Sequence, residues 1–237
     1  TVKKHYYVLK KMFEQAVKWN LININPCEGV VLPKEKRTEM KVWDKETINE
    51  FLKLVKGTKW YVPFLIAFTS GLRQGEIAGL KWQDFNKEEN TLYVVRTMQR
   101  NFELKETKTK SSMRKIVLMD NTIEALKWQL KWQEENKKTF DEYKDTGFIC
   151  THENGKPINP ENMGKAFNKL VKSNNLPSIR FHDIRHTFAT LLLKNGTNPK
   201  IVSEILGHSN VQTTLNVYSH MLPDMQKETM ERLQESL

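Results

Sequence analysis

Apolar residues recur at helical spacing along most of this chain. Val2, Tyr6, Leu9, Phe13, Ala16 and Val17 form one stripe from Thr1 to about Asn20, with Lys3, Lys4, Lys10, Lys11 and Lys18 around it, the signature of an amphipathic helix. Pro26, Gly29 and Pro33, followed by the charge run Lys34, Glu35, Lys36, Arg37, interrupt the pattern and predict a linker. Asp44 is an N-cap candidate for a helix bearing Ile48, Phe51, Leu52 and Val55 that ends at Gly57. An apolar helix from about Tyr61 to Ser70 closes at Gly71, and a short helix follows to about Leu80. Thr91–Thr97 and Lys115–Met119 read as strands, with Lys105–Ser112 between them as a basic hairpin arm.

Asn121 is the expected cap of a helix to about Asn136 that carries Ile123, Leu126, Leu130, Trp128 and Trp132. Phe148–Thr151 reads as a short strand, Asn154-Gly155 as a turn, and Pro160 as the start of a helix with Ala166, Phe167 and Leu170. From Phe181 to His220, Ile184, Phe188, Leu191 and Leu192 recur at helical spacing, Gly196 stops the run and Pro199 restarts it, which predicts three short helices. Pro223 opens a last helix with Met225, Met230, Leu233 and Leu237 on a partial stripe. The fold class is therefore mainly α with a small antiparallel β-sheet. Four segments are expected: 1–25 as the last helix of an upstream domain, 26–41 as a linker, 42–220 as the main domain and 221–237 as a tail helix. A chain that opens at Thr1 already in helical pattern reads as a fragment of a longer one.

Composition narrows the partners. With 38 Lys plus Arg against 28 Asp plus Glu the formal charge is +10, which favours a polyanion. Cys27 and Cys150 lack a paired spacing, so neither a disulfide framework nor a cysteine zinc site is indicated, and a reducing compartment fits. No apolar run approaches the roughly 20 residues that span a bilayer. The reading is a cytoplasmic protein without a membrane partner.

The helices already have buried faces, so the polar residues interleaved between Phe181 and His220 need another explanation. His182, Arg185, His208 and Tyr218 surround a phosphate in this reading. A phenol of pKa about 10 attacks phosphorus usefully only if its proton has a destination and the phosphate charge is masked. A guanidinium grips two non-bridging oxygens at once, so Arg73 and Arg185 form a credible clamp. Lys108, in the basic arm, is placed to protonate a leaving alkoxide, and His182 to accept the nucleophile's proton or hold a phosphate oxygen. Such a site requires no metal and no cofactor.

The boxes Gly-Leu-Arg-x-Gly-Glu at 71–76, Lys-Thr at 108–109, His-x-x-Arg-His at 182–186, Leu-Gly-His-Ser at 206–209 and Thr-Thr-x-x-x-Tyr-x-His at 213–220 together resemble the tyrosine recombinase, or phage integrase, family of mobile elements and prophages. The resemblance implies a site-specific recombinase in which Arg73, His182 and Arg185 bind the scissile phosphate and His208 makes a further contact to it. It implies Lys108 as general acid, Glu76 as the carboxylate supporting Arg73, and Tyr218 as the nucleophile that forms a 3'-phosphotyrosyl link. It also implies double-stranded DNA attachment sites as substrate, a homo-tetramer on DNA, accessory DNA-bending or directionality proteins, nucleoid association in a bacterial host, and a core-binding identity for residues 1–25. The tail helix would dock on a neighbouring subunit or fold back on its own domain.

Other readings differ in chemistry. His182 and His186, one helical turn apart, echo a metalloprotease helix, but Asp183 stands where that pattern needs Glu, and Arg185 would repel the metal. A silent helix-turn-helix over Asn198–Tyr218 accounts for the charge but not for Arg73, His182 and Tyr218 together. A type IB topoisomerase would share the chemistry. His186, His220, Trp82, Trp128 and Trp132 read as packing residues.

Overall fold

The computed structural model describes residues 2–33, 41–106, 113–208 and 210–218, with Met230 and Gln234; at 213 and 216–218 it describes the backbone alone. The chain divides into two compact units, Thr1–Glu39 and Met40–Leu237.

In the first unit, α1 (Val2–Lys18) buries none of its residues. Val2 and Leu9 of the expected stripe are exposed, and Tyr6, Phe13, Ala16 and Val17 are only partly covered. The chain folds back on this helix. Tyr6 Oη donates to the Cys27 carbonyl at 3.1 Å, and Asn25 Nδ2 donates to the Lys10 carbonyl at 3.1 Å. Asn25 and Cys27 are buried by this return. One helix and its return do not make a two-layer core.

The second unit starts with α2 (Lys45–Val55), whose Asp44 cap accepts from Thr47 N at 2.8 Å, a bond worth about 1 kcal/mol. The almost wholly buried α3 (Tyr61–Ser70) leads into α4 (Gln74–Ala78) and a 3₁₀ turn over Trp82–Asp84. Five short strands follow: β1 (Phe85–Asn86), β2 (Thr91–Val94), β3 (Arg96–Met98), β4 (Leu104–Glu106) and β5 (Arg114–Val117). After them come α5 (Asp120–Thr139), α6 (Pro160–Ser173), α7 (Phe181–Lys194), α8 (Pro199–Leu206) and α9 (Val211–Tyr218). The domain is mainly α with small antiparallel sheets, as its pattern implied.

The core is aromatic. Trp43, Phe51, Phe64, Phe68, Phe167 and Phe181 bury their rings together, with Trp43 stacked on Phe68 at 5.7 Å between centroids. Trp43 Nε1 finds its partner in the Pro177 carbonyl at 2.8 Å. A second cluster of Phe188, Ala189, Leu193, Val202 and Leu206 seats α8 on α7.

Several elements differ from the sequence pattern. The strand expected over Thr91–Thr97 breaks at Val95 into β2, in an antiparallel sheet ordered β1-β2-β5, and β3, which pairs with β4. Phe148–Thr151 is no strand. It forms isolated bridges from Lys81 to Phe148 and from Thr151 to Pro157. Side-chain amides of α5 replace the missing partner strand: Gln133 Nε2 donates to the Phe148 carbonyl at 3.1 Å and Gln129 Nε2 to that of Ile149 at 3.0 Å. Helix α5 starts under an extended Met119, one residue before the expected Asn121 cap is reached, because Asp120 already occupies its first turn. The arm residues 107–112 and the helix expected from Pro223 lie outside the described residues, save Met230 and Gln234. Among the described residues, no helix is long and apolar enough to cross a membrane.

Candidate active site

Two helix ends and two helix beginnings build the site. Helix α3 ends at Gly71 with φ +62°, a left-handed turn open to glycine at little cost. A Cβ there would also lie 2.6 Å from Phe188 Cδ1 and 2.8 Å from Leu206 Cδ2. Helix α8 ends at Gly207 with φ +66°. There Gly207 N donates to the Glu204 carbonyl and His208 N to that of Ser203, both at 3.0 Å, which is a Schellman motif. The motif occupies two of the last four helical carbonyls and leaves those of Ile205 and Leu206.

Arg185 comes from α7 and is buried, 4% exposed. Its Nη1 donates to the Gly71 carbonyl at 3.0 Å and its Nη2 to the Leu206 carbonyl at 2.6 Å. Both acceptors sit at helix C-termini, where the aligned peptide dipoles favour a cation. Burying this guanidinium is tolerable because both of its terminal nitrogens find carbonyl acceptors.

Arg73 stands at the N-cap of α4. Glu76, at the third helical position, reaches back to the Arg73 backbone N–H at 2.9 Å and to Arg73 Nη1 at 2.8 Å. This is half of a capping box, since an arginine side chain has no acceptor with which to reciprocate. The Arg73 side chain is 44% exposed, and among the described residues its Nε and Nη2 have no protein partner. Helix α7 repeats the device. Asp183 accepts the Arg180 backbone N–H at 2.8 Å, and Arg180 Nε and Nη2 at 3.0 and 2.8 Å. Burial opposes ionisation of Glu76, but the hydrogen bond and charge of Arg114, with Arg73, outweigh it and hold the carboxyl below its usual range. For Asp183, the Arg180 bonds outweigh burial in the same way.

The imidazoles meet these cations. His182 and His186 lie one turn apart on α7 with ring centroids 5.2 Å apart, nearly perpendicular. Desolvation, then Arg185, lowers the pKa of His182, with Arg73 adding to the effect. His186 is lowered by desolvation and by His182. His208 Nδ1 is 2.8 Å from Thr214 Oγ1 of α9. Desolvation, then the charges of Arg185 and Arg73, pushes its pKa down to about 4. These imidazoles are therefore neutral at pH 7. Asp183, between the two α7 histidines, is engaged by Arg180. Among the described residues, no group of three His, Cys, Asp or Glu is arranged to hold a metal.

The phage integrase family model matches residues 41–225. The chain belongs to that family. Its relatives include a XerC-like tyrosine recombinase of Caldanaerobacter subterraneus, 35% identical across 98% of this chain and 65% of that protein. The ICEBs1 integrase of Bacillus subtilis is 29% identical across 97% of this chain and 64% of that protein. The chain thus spans just under two thirds of the length of these curated relatives. Among solved structures, the Tn1549 transposon integrase in complex with transposon right end DNA superposes with a TM-score of 0.83 at 28% identity, covering 98% of this chain and 79% of that one.

In this integrase-family chain, Arg73, Glu76, His182, Arg185 and His208 converge although more than a hundred residues separate the first pair from the rest. Tyr218 closes α9, one turn after Thr214; its side chain and all of Lys108 lie outside the described residues. Sequence reasoning missed Arg114, whose guanidinium lies against Glu76 in the same network. A signal was present. Arg114 and Ile116 are two apart on β5 and so share one face, and Ile116 is buried.

Proposed function

We propose that this chain carries the catalytic centre of a site-specific DNA recombinase, cleaving and rejoining DNA strands through a 3'-phosphotyrosyl intermediate. The observation that carries the reading is the convergence of Arg73 and Arg185 with two neutral imidazoles, His182 and His208. The two guanidiniums bind the non-bridging oxygens of the scissile phosphate, and His208 adds a hydrogen bond. Positioned cations of this kind stabilise the charge that spreads over those oxygens in the transition state. Tyr218 Oη forms the new bond to phosphorus while the bond to the 5'-oxygen breaks. The phenolic proton passes to His182, and Lys108 protonates the departing 5'-oxygen. A 5'-hydroxyl from a second strand reverses these transfers, so bond energy is conserved and no ATP is needed.

The recombinase and integrase relatives favour this reading over a type IB topoisomerase or a silent DNA-binding module. Residues 1–25 are the last helix of a core-binding domain, 26–41 a linker, 42–220 the catalytic domain, and 221–237 a tail that docks on a neighbouring subunit or folds back on its own domain. The substrate is double-stranded DNA at attachment sites, held by a tetramer on two duplexes in the bacterial nucleoid and assisted by accessory DNA-bending or directionality proteins.

Incubation with nicked attachment-site DNA in EDTA tests the proposal. A covalent protein–DNA adduct should form with the parent chain and vanish in Tyr218→Phe. An adduct of equal yield in that variant sinks the assignment.

A further inference from the structure

We propose that Arg114 is a positioning residue of this site, a brace that sets the spacing of the two phosphate-binding arginines. Its side chain is only 6% exposed and its fork is engaged by two separate elements of the protein. The Nη2 and Nη1 groups reach Glu76 Oε2 at 2.8 Å and Oε1 at 3.3 Å. On the same fork, Nε donates to the Ile205 carbonyl at 2.7 Å. Those two partners are the supports of the two clamp arginines. Glu76 holds the backbone and Nη1 of Arg73. Ile205 is the neighbour of Leu206, whose carbonyl holds Arg185.

The end of α8 shows why the brace exists. The Schellman motif leaves two orphan carbonyls; Arg114 takes one and Arg185 the other. Gly207 lets the guanidinium lie close, since a Cβ there would be 3.0 Å from Arg114 Nη1. Charge points the same way. Glu76 between two guanidiniums satisfies Arg114 with both oxygens and Arg73 with a single side-chain bond, which leaves Arg73 Nε and Nη2 for a ligand. Without Arg114 the carboxylate would turn fully onto Arg73 and compete with the phosphate. A lysine cannot substitute, because one ammonium on a flexible stem does not present a rigid fork to two elements.

The inference rests on the proposed recombinase reading, and its test separates the two. Single-turnover adduct formation on nicked DNA is measured for the parent chain, Arg114→Lys, Arg73→Lys and the double variant, with DNA affinity and unfolding temperature alongside. A parent chain that forms no adduct overturns the functional reading itself. With an active parent, Arg114→Lys should slow cleavage about 10- to 100-fold, the penalty of an ångström-scale misplacement, while DNA affinity changes less than about 3-fold. In the Arg73→Lys background the same substitution should cost less than about 3-fold, because the group it positions is already gone. Unchanged cleavage in Arg114→Lys, or an equal penalty in both backgrounds, overturns the inference. Arg114→Gln, which keeps a donor for Ile205 but drops the charge on Glu76, is run beside it, each variant about 10 °C below its own melting point. Failure of both variants to fold at any temperature makes Arg114 a folding residue and likewise overturns the proposal.

Discussion

His208 is the residue whose environment makes the sharpest statement about acid. Its pKa falls from the ordinary 6.5 to about 4, through desolvation first and then Arg185, Arg73, His186 and Arg114. Between those two values the unfolded chain binds a proton that the folded chain refuses, so stability drops as pH falls through that window. His182 and His186 are shifted in the same direction and add to the slope. Glu76 and Asp183 act lower. Their folded pKa values are depressed, so their contribution is complete above the ordinary carboxylate range and is lost only below it. Denaturant midpoints measured between pH 7.5 and 4.5 should therefore decline, and His208→Gln, which keeps a hydrogen-bond partner for Thr214, should flatten the decline. An unaltered slope in that variant would mean that His208 titrates normally. The identities of these residues were legible in the sequence, since Arg73, His182, Arg185 and His208 stand in recognisable boxes. Their protonation was not, because the cations that set it come from α4, β5 and α7.

At the scale of elements, the ends matter more than the middles. Gly71 was readable as the close of an apolar run, whereas Gly207 stood in the sequence only within a motif box. Gly71 also presents its carbonyl to Arg185, which no local pattern announces. Gly71→Ala meets two costs. The left-handed backbone costs a Cβ-bearing residue about 1–2 kcal/mol, and the approach to Phe188 and Leu206 adds overpacking of about 1–3 kcal/mol. We expect a loss of roughly 2–5 kcal/mol in chemical denaturation, the sum of those ranges, together with slower adduct formation as the Arg185 acceptor shifts. A loss below about 1 kcal/mol would show that α3 and α8 are loosely apposed. The elements that sequence reasoning misjudged share one cause. Phe148–Thr151 has strand-like residues, but its carbonyls are served by Gln129 and Gln133, and Val95 splits one apolar run between two sheets. Propensity reads the residue, whereas hydrogen-bond partners from distant segments decide the element.

For the whole molecule, the formal charge of +10 is an excess that internal ion pairs do not reduce. Glu76, Asp84 and Asp183 are buried carboxylates, each paired with an arginine, so acid and base are withdrawn together. Arg114 is a buried cation held by Glu76 and the Ile205 carbonyl, whereas Arg185, anchored on two helix-end carbonyls, is assigned to the scissile phosphate in the proposed reading. What remains for DNA is the exposed set, including Arg73, together with Arg185 at the proposed scissile phosphate. Association with the proposed DNA substrate should therefore weaken steeply with salt, by about 10³-fold or more between 50 and 200 mM if roughly six or more phosphates are neutralised. The log–log slope distinguishes the arginines. Arg73→Gln should reduce it by about 1, the signature of one lost phosphate contact. Arg114→Lys should leave it unchanged while slowing cleavage, because a brace releases no counterion. Binding measured in the Tyr218→Phe background keeps chemistry out of the titration. A slope that fell with Arg114→Lys would place that guanidinium on the DNA after all, and one near zero for the parent chain would remove the basic surface from the proposed interface.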